Sequence, residues 1–246
     1  MIKVTQESEF TLVSASVSEF ADSLGYCEYK IPLSISGVKP KPSQALIQGT
    51  RAHSEKEKQE AEEFEFEPVT MDELEDKFQD VEFARETIFT TLNVPFSFEK
   101  QNVLVSLSGR TDKILRKEET LIVSDDKFAG DPKSYDSKPQ PYPSQLLQVL
   151  VYLNSIYSTS KTRNSEDLFE MPHTQKMWQI RICDRKTRTP YKIYSDYQDS
   201  FALQFLHNSL QRFATVSLGI DEPAHHNSVN KCNACNLKSF CEFRIK

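Results

Sequence analysis

The sequence lacks any apolar run long enough to cross a membrane. Of its 246 residues, 38% are hydrophobic and 27% are charged, and no stretch approaches the roughly 20 apolar residues of a transmembrane helix. The first residues also lack the apolar core of a secretory signal peptide, because Lys3, Glu7 and Glu9 interrupt them. We therefore expect a globular protein of the cytoplasm, without a membrane partner.

Two further absences narrow the functional classes. The chain has no glycine-rich G-x4-G-K-[ST] loop, which excludes a helicase motor within it. It also has no internal repeat, and its length suits one sizeable core, or one core with a small appended piece. We expect a single domain over residues 1–246.

An excess of positive charge, which would favour a nucleic-acid partner, is missing as well. The net charge is −6, and residues 51–80 carry twelve acidic against four basic side chains. The rest of the chain therefore sums to +2, and residues 161–192 carry eight basic against four acidic side chains. Because local basic surface can bind phosphates despite an acidic total, the charge neither supports nor excludes DNA.

The hydrophobic pattern predicts an α/β protein. Helices are predicted over residues 19–25, 43–66, 71–92, 144–157 and 201–218. Ser43 and Ser144 are the predicted N-caps of their helices, and Gly219 is predicted to end the last helix. Strands are predicted over residues 94–98, 103–107, 112–116, 121–127, 177–183 and 191–194. Residues 26–42 and the proline-rich residues 130–143 are predicted to be irregular.

The most informative segment is a predicted hairpin with a two-residue turn at residues 118–119. Such a turn would place Asp112 directly opposite Asp125, with Cβ atoms about 5 Å apart. Strand alternation would place Lys127 on the same face and Asp126 on the other. The hairpin therefore predicts two acids and a lysine gathered on one surface.

That group of side chains fits phosphodiester hydrolysis. A divalent cation would relieve the repulsion between the two carboxylates, polarise a phosphoryl oxygen and lower the pKa of a bound water. Lys127 could orient that water or neutralise charge on the scissile phosphate. From this motif alone, an exposed hairpin with a solvated Asp/Lys pair is an equal alternative, because a D-x-K triplet is common by chance.

Two helical motifs offer further polar groups for the same site. Gly49 would allow a close approach of the backbone, and His53 could supply a neutral nitrogen ligand. Gln145, Gln148 and Tyr152 fall on one helical face, where a polar stripe needs hydrogen-bond partners. For each motif alone, an exposed or hydrogen-bonded side chain without a role in binding is the commoner explanation.

The cysteines suggest a metal site more than disulfides. A C-x2-C-x5-C motif is formed near the C-terminus by Cys232, Cys235 and Cys241. A closed site needs a fourth ligand, for which Cys27 is the obvious donor, whereas Cys183 is expected in the core. Zinc and an iron–sulfur cluster both accept four thiolates, so spacing leaves both open. His225 and His226 are a weaker metal alternative.

Taken together and in this order, the motifs resemble the RecB-like branch of the PD-(D/E)XK nucleases, and most closely the CRISPR-associated protein 4 family. That family has an early cysteine, a G-x3-H helix, a G-R-x-D strand, a D/E-x-K strand, a Q-x3-Y helix and a terminal C-x2-C-x5-C motif. The matching positions here are Cys27, Gly49 to His53, Gly109 to Asp112, Asp125 to Lys127, Gln148 to Tyr152, and Cys232, Cys235 and Cys241. Each motif is short, and their joint order is the specific part.

The resemblance implies a restriction-endonuclease-like α/β core, in which a central mixed β-sheet is flanked by helices. It also implies a [4Fe–4S] cluster on the four cysteines, with residues 1–42 and 220–246 joined as a cluster subdomain. For Mn²⁺ or Mg²⁺, the implied ligands are His53, Asp112, Asp125 and the backbone carbonyl of Asp126. The implied catalytic group is Lys127 with Asp112 and Asp125, supported by Gln148 and Tyr152.

The implied activity is the trimming of single-stranded DNA ends, including new CRISPR spacers alongside the integrase. A stand-alone repair exonuclease of the exonuclease V type, or the nuclease part of a helicase–nuclease, is an alternative in the same class. A catalytically idle module that binds DNA or the integrase, with a structural metal site, is an alternative from another class. Residues 130–143 have no assignment in this scheme beyond a role in gating the DNA path.

Overall fold

The computed structural model describes residues 1–39, 42, 44–64, 85–86, 89–99, 101–117, 120–156 and 175–245. The helices are α1 (Val17–Tyr26), α2 (Lys30–Ile35), α3 (Gln44–Phe64), α4 (Pro143–Ser155), α5 (Ser200–Ser217) and α6 (Val229–Ala234). The strands are β1 (Lys3–Gln6), β2 (Thr11–Ser16), β3 (Arg85–Glu86), β4 (Phe89–Phe98), β5 (Gln101–Arg110), β6 (Lys113–Lys117), β7 (Thr120–Ala129), β8 (Gln175–Asp184) and β9 (Pro190–Tyr197). A 3-10 helix covers Pro132–Tyr135.

The strands form two mixed sheets. The first has the order β1-β2-β5-β4, in which β2 and β5 are parallel and the other pairs are antiparallel. The second has the order β3-β6-β7-β8-β9, in which only β7 and β8 are parallel among the described strands. With helices packed on both sheets, this architecture confirms the predicted α/β class with mixed sheets.

Helix α4 holds the two sheets and the first helix together. It contacts α1, strands β4 and β5 of the first sheet, and strands β7 and β8 of the second. Leu147, Leu150 and Leu153 are at most 1% exposed, and full burial of each leucine contributes about 1.5–3 kcal/mol. A helix buried on nearly all sides needs this almost continuous apolar sequence, so its few polar side chains must find partners.

Two predicted segments differ from the structure. The prediction that residues 26–42 are irregular is wrong for α2, because Ile31 is fully buried there. The predicted helix over residues 71–92 is wrong at β3 and from Phe89 onward, while residues 71–84 lie outside the described part of the chain. Pairing of β4 with β5 buries Thr90 and Leu92, and such tertiary burial overrides local helical pattern.

The ends of α4 and α5 show whether the predicted capping residues are correct. Ser144 is not the N-cap of α4, because Tyr142 occupies that position and Pro143 begins the helix. The side-chain oxygen of Gln145 completes the cap by accepting from the Tyr142 N–H at 3.1 Å. Gly219 follows α5 with a φ of 68°, which confirms the predicted stop. Ser43 lies outside the described residues. No helix in the described part of the chain is long and apolar enough to span a membrane.

Candidate active site

The hairpin of β6 and β7 has the predicted register. Lys113 pairs with Ser124 and Lys117 with Thr120, so the same register continues to Asp112 opposite Asp125. The turn itself, residues 118–119, lies outside the described residues. Asp112 sits just before β6, where its Oδ2 accepts a hydrogen bond from the Asp126 N–H at 2.7 Å. The end of the hairpin thus brings both acids together.

Lys127 contacts Asp125 on the predicted common face. Lys127 Nζ lies 2.6 Å from Asp125 Oδ2 and donates a hydrogen bond of 2.8 Å to Gln148 Oε1 of α4. Burial raises the pKa of the Asp125 carboxyl to about 7, an effect that Lys127 opposes and Asp112 increases. Burial alone would lower the pKa of Lys127, but Asp125 and Asp112 raise it overall, so the ammonium stays charged.

His53 of α3 reaches the same end of the hairpin. Its Nε2 lies 3.2 Å from Asp112 Oδ2 and 3.1 Å from the backbone oxygen of Asp126. Burial would lower the pKa of His53, but its hydrogen bond to Asp112 and the charge there raise it overall. For Asp112, burial would raise the pKa, yet His53 and Lys127 hold it below its usual range. The imidazole, carboxylate and carbonyl therefore converge on one point.

These donors fit a divalent cation. In an octahedral site with bonds of about 2.1 Å, neighbouring ligand atoms are about 3.0 Å apart, close to the 3.1 and 3.2 Å separations from His53 Nε2. Carboxylate and carbonyl oxygens with one imidazole nitrogen suit Mg²⁺ or Mn²⁺. Within the described residues, the chemistry of the donor set therefore agrees with a site for such an ion.

The polar residues of α4 divide between two surroundings. Gln148 faces Lys127, and Tyr152 is 5% exposed. Burial, with the nearby charge of Asp125, raises the pKa of Tyr152, so its hydroxyl remains protonated. Gln145, predicted on the same stripe, instead caps α4 and donates from Nε2 to the Tyr135 hydroxyl at 3.0 Å. Only part of the predicted stripe thus faces the acids.

Sequence reasoning missed the surroundings of the Asp126 side chain. The Asp126 side chain points to the face of β7 opposite Asp125, as predicted. On that face it is buried, with 3% of its surface exposed. The side chains that contact its carboxylate are Lys56, Lys113 and Arg181. Arg181, flanked by Ile180 and Ile182 in a strand, was the available sign of a buried acid, since buried charges need partners.

An open cavity of ≈ 510 Å³ lies beside this group. His53, Asp112 and Lys127 line one part of it, and Phe128 and Tyr135 line another. Tyr135 belongs to residues 130–143, and Lys192 holds that segment by donating to the carbonyls of Tyr135 and Lys138, each at 2.7 Å. The cavity therefore has a charged region and an aromatic region.

The structure also brings two of the four predicted thiol ligands, Cys27 and Cys232, near two histidines. Ligand atoms of Cys27, His225 and His226 lie within 4.8 Å of one another. Cys232 Sγ lies 3.6 Å from His225 Nε2 and 3.9 Å from His226 Nε2. Burial raises the pKa of the Cys27 thiol. Cys183 is buried in β8, as expected of a core residue.

A family model matches most of this chain, and two solved structures are similar to it at low identity. The family model of the PD-(D/E)XK nuclease superfamily matches residues 34–242. The crystal structure of SSO0001 is 14% identical with a TM-score of 0.47, over 98% of this chain and 90% of that one. A Eubacterium rectale structure, provisionally named as an exonuclease, is 15% identical with a TM-score of 0.42, over 94% of this chain and 89% of that one. No curated protein matches the sequence.

Proposed function

Because the chain belongs to the PD-(D/E)XK nuclease superfamily, we propose that it is a metal-dependent exonuclease that hydrolyses single-stranded DNA ends. The observation that carries the proposal is the meeting of His53, Asp112 and the Asp126 carbonyl beside the Lys127–Asp125 pair. An exposed hairpin with a solvated Asp/Lys pair would not bury Asp125 to 1% exposure.

The proposed metal ligands are His53, Asp112, Asp125 and the carbonyl of Asp126. Nucleases of this superfamily use divalent metals such as Mg²⁺ or Mn²⁺. When bound, the ion supplies Lewis-acid stabilisation of the phosphoryl oxygen and a lowered pKa for water. The two carboxylates and the carbonyl provide the hard oxygen donors that such an ion needs.

Lys127 is the proposed catalytic lysine. Two of its three N–H donors are occupied by Asp125 Oδ2 at 2.6 Å and Gln148 Oε1 at 2.8 Å. The third donor, which has no partner among the described residues, can orient the attacking water or stabilise negative charge on the scissile phosphate. Gln148 thus holds the lysine, and Tyr152 packs behind the acids. Because both partners of Lys127 are placed before substrate binds, little reorganisation is needed during the reaction.

The preference for single-stranded ends is supported by the cavity of ≈ 510 Å³ beside these residues. Its charged part suits a phosphate, and its wall at Phe128 and Tyr135 offers aromatic surface for an unpaired base or sugar. The resemblance to the CRISPR-associated protein 4 family further suggests that the substrates are new spacers handed to the integrase. A stand-alone repair exonuclease would use the same site, and gene neighbourhood separates the two roles.

The test of the nuclease proposal is degradation of end-labelled single-stranded DNA with Mn²⁺ or Mg²⁺. We expect loss of cleavage in Asp112→Ala and Lys127→Ala, with DNA binding retained in Lys127→Ala. Activity that survives both substitutions would assign the cleavage to a contaminant or to another site. A wild-type protein that binds DNA without cleaving it would favour the idle binding module.

A second metal centre is proposed at the cysteines. A [4Fe–4S] cluster on Cys27, Cys232, Cys235 and Cys241 is supported by the approach of the N-terminal segment to the tail, where the Tyr26 hydroxyl donates to the Lys231 carbonyl at 2.6 Å. Such contacts also suit the proposed subdomain of residues 1–42 and 220–246.

Zinc on Cys27, Cys232, His225 and His226 is the alternative for this centre. With Zn–S of about 2.3 Å and Zn–N of about 2.0–2.1 Å, a tetrahedral site has S···N separations of about 3.5 Å. The observed separations of 3.6 and 3.9 Å from Cys232 Sγ are close to this value. Anaerobic purification with iron, sulfide and zinc analysis separates the two occupants. Loss of zinc in the His225→Ala/His226→Ala double variant would favour the mixed site, whereas loss of iron and sulfide in Cys235→Ser/Cys241→Ser would favour the cluster.

A further inference from the structure

One buried carboxylate on β7 contacts side chains of α3, β6 and β8. Asp126 is 3% exposed, and Arg181 of β8 grips it with two hydrogen bonds, from Nε to Oδ1 at 2.6 Å and from Nη2 to Oδ2 at 2.9 Å. Lys113 Nζ of β6 lies 2.5 Å from Oδ2, and Lys56 Nζ of α3 lies 3.2 Å from the same oxygen. The contacts therefore reach both neighbouring strands and the helix above.

The backbone of the same residue belongs to the proposed metal site. The Asp126 N–H donates to Asp112 Oδ2 at 2.7 Å, and the Asp126 carbonyl oxygen lies 3.1 Å from His53 Nε2. Since side chain and carbonyl share one Cα, restraining the carboxylate also restrains the orientation of the peptide group. Lys56 lies three residues after His53 on α3, one helical turn away on a neighbouring face. Its contact with Asp126 therefore also restrains the helix that presents the imidazole.

We propose that the Asp126 carboxylate, held by Arg181, Lys113 and Lys56, is a positioning group that sets the Asp126 carbonyl and His53 for metal binding. The proposal deepens the nuclease proposal and rests on it for the identity of the metal site. Outer contacts of this kind commonly orient the groups that bind a metal directly.

The charge balance argues against a merely stabilising role. Among the described side chains, Glu60 also contacts all three cations, at 3.8 Å from Lys56, 3.0 Å from Lys113 and 3.5 Å from Arg181. Three cations thus face two carboxylates. Burial would raise the pKa of Asp126, but Arg181, Lys113 and Lys56 hold it far below its usual range. Apolar replacements often match or exceed the stability of such buried ionic groups, so an ionic cluster here is better explained by geometry than by stability.

The experiment measures Mn²⁺ binding to the folded full-length protein by electron paramagnetic resonance, with Asp112→Ala identifying the signal of this site. In Arg181→Lys the charge remains but the two-pronged contact is lost, and we expect Mn²⁺ affinity to fall about tenfold or more. The matched control is Arg212→Lys, which alters a similar two-pronged contact to Glu28, from Nε to Oε1 and from Nη2 to Oε2, outside the site. The control is expected to bind Mn²⁺ like the wild type.

A double variant separates positioning from stability. Asp126→Asn/Arg181→Met removes one charge of each sign, so the net charge of the cluster is unchanged. We expect its melting temperature to exceed that of Asp126→Asn while its Mn²⁺ affinity stays about tenfold or more below wild type. Wild-type affinity in the double variant would overturn the proposal. If this variant does not fold, Lys56→Met provides the test, since an unchanged Mn²⁺ affinity in Lys56→Met would also overturn the proposal.

Failure of the nuclease proposal gives a different pattern. A wild-type protein that binds Mn²⁺ at Asp112 but cleaves no DNA would refute the nuclease proposal. Weakened Mn²⁺ binding in Arg181→Lys would still support the positioning role of the Asp126 carboxylate. A wild-type protein that binds no Mn²⁺ at this site would overturn both.

Discussion

Gly109 and Tyr152 meet so closely that no side chain fits between them. A Cβ atom at Gly109 would lie 2.9 Å from the Tyr152 hydroxyl oxygen and 3.0 Å from Val17 Cγ2. The glycine of the G-R-x-D strand is therefore required by the tyrosine of the Q-x3-Y helix. These two motifs are separate in the sequence but pack directly against each other in the structure.

Gly109→Ala should displace Tyr152 and, through α4, the Gln148 contact to Lys127. Overpacking of this kind costs about 1–3 kcal/mol of unfolding free energy. We expect the rate of DNA cleavage to fall even under conditions in which the variant remains folded. Urea unfolding and initial cleavage rates measure the two effects. Gly49→Ala is the control for stability alone, because a Cβ there meets nothing within 4 Å. Partial recovery in Gly109→Ala/Tyr152→Phe is expected, and full activity in Gly109→Ala alone would refute the coupling.

Divalent metal should stabilise the fold through its proposed ligands. A ligand present at about 100 times its dissociation constant adds about 2.7 kcal/mol to the unfolding free energy. We expect Mn²⁺ to raise the melting temperature of the wild type, and this rise should vanish in Asp112→Asn and shrink in His53→Ala. Differential scanning fluorimetry with and without Mn²⁺ measures the shift. An undiminished shift in Asp112→Asn would place the ion elsewhere.

The metal-free protein should lose stability as pH rises toward neutrality. The pKa of Asp125 is raised to about 7 in the folded state, against about 4 for an ordinary aspartate. Between these values the folded state binds a proton that the unfolded state has released, so the unfolding free energy falls with rising pH. Urea unfolding across this range, with a chelator present, should show a flatter dependence in Asp125→Asn. Equal slopes in the two proteins would contradict the assignment.

The cysteine region should lose its metal through Cys232 but not through Cys183. Cys232 is buried beside His225 and His226, and it belongs to both proposed donor sets. Cys232→Ser should therefore release iron or zinc and lower the melting temperature. Cys183→Ala is the control, since that thiol lies in β8 and accepts a hydrogen bond from Lys56 at 3.4 Å. An unchanged metal content in Cys232→Ser would refute the proposed metal centre at the cysteines.

The segment of residues 130–143 should affect substrate binding more than chemistry. Lys192 fastens it through the carbonyls of Tyr135 and Lys138, and Tyr135 lines the cavity beside Lys127. Lys192→Met should release these carbonyls and raise KM for single-stranded DNA several-fold, with a smaller change in kcat. The exposed Lys186→Met serves as control for the loss of one positive charge. An unchanged KM in Lys192→Met would show that the segment has no part in substrate binding.

Much of the candidate site could be predicted because its geometry is local. The pairing of Asp112 with Asp125 follows from a short turn, and the opposite directions of Asp125 and Asp126 follow from strand alternation. The apolar sequence of α4 likewise indicates its central position. The order of the motifs along the chain also associates His53 and Gln148 with the hairpin.

The errors lie where burial overrides local pattern. Helix α2 exists because Ile31 reaches the core, and Phe89 to Leu92 form a strand because β5 is available beside them. The N-cap of α4 is Tyr142 because Pro143 begins the helix and Gln145 accepts from the Tyr142 N–H. The core around Ile31 is built from distant segments, whereas β4 and β5 are consecutive paired strands that the helical pattern of the sequence concealed.

The sequence by itself determined the hairpin register, the alternation of its faces and the types of donor available, because each depends on covalent neighbours and on periodicity. Only the tertiary structure decided that Lys56, Lys113 and Arg181 surround Asp126, and that His225 and His226 lie against Cys27. Contacts between distant segments depend on how whole helices and sheets pack, and that packing is set by the collective burial of the core, which no short motif specifies.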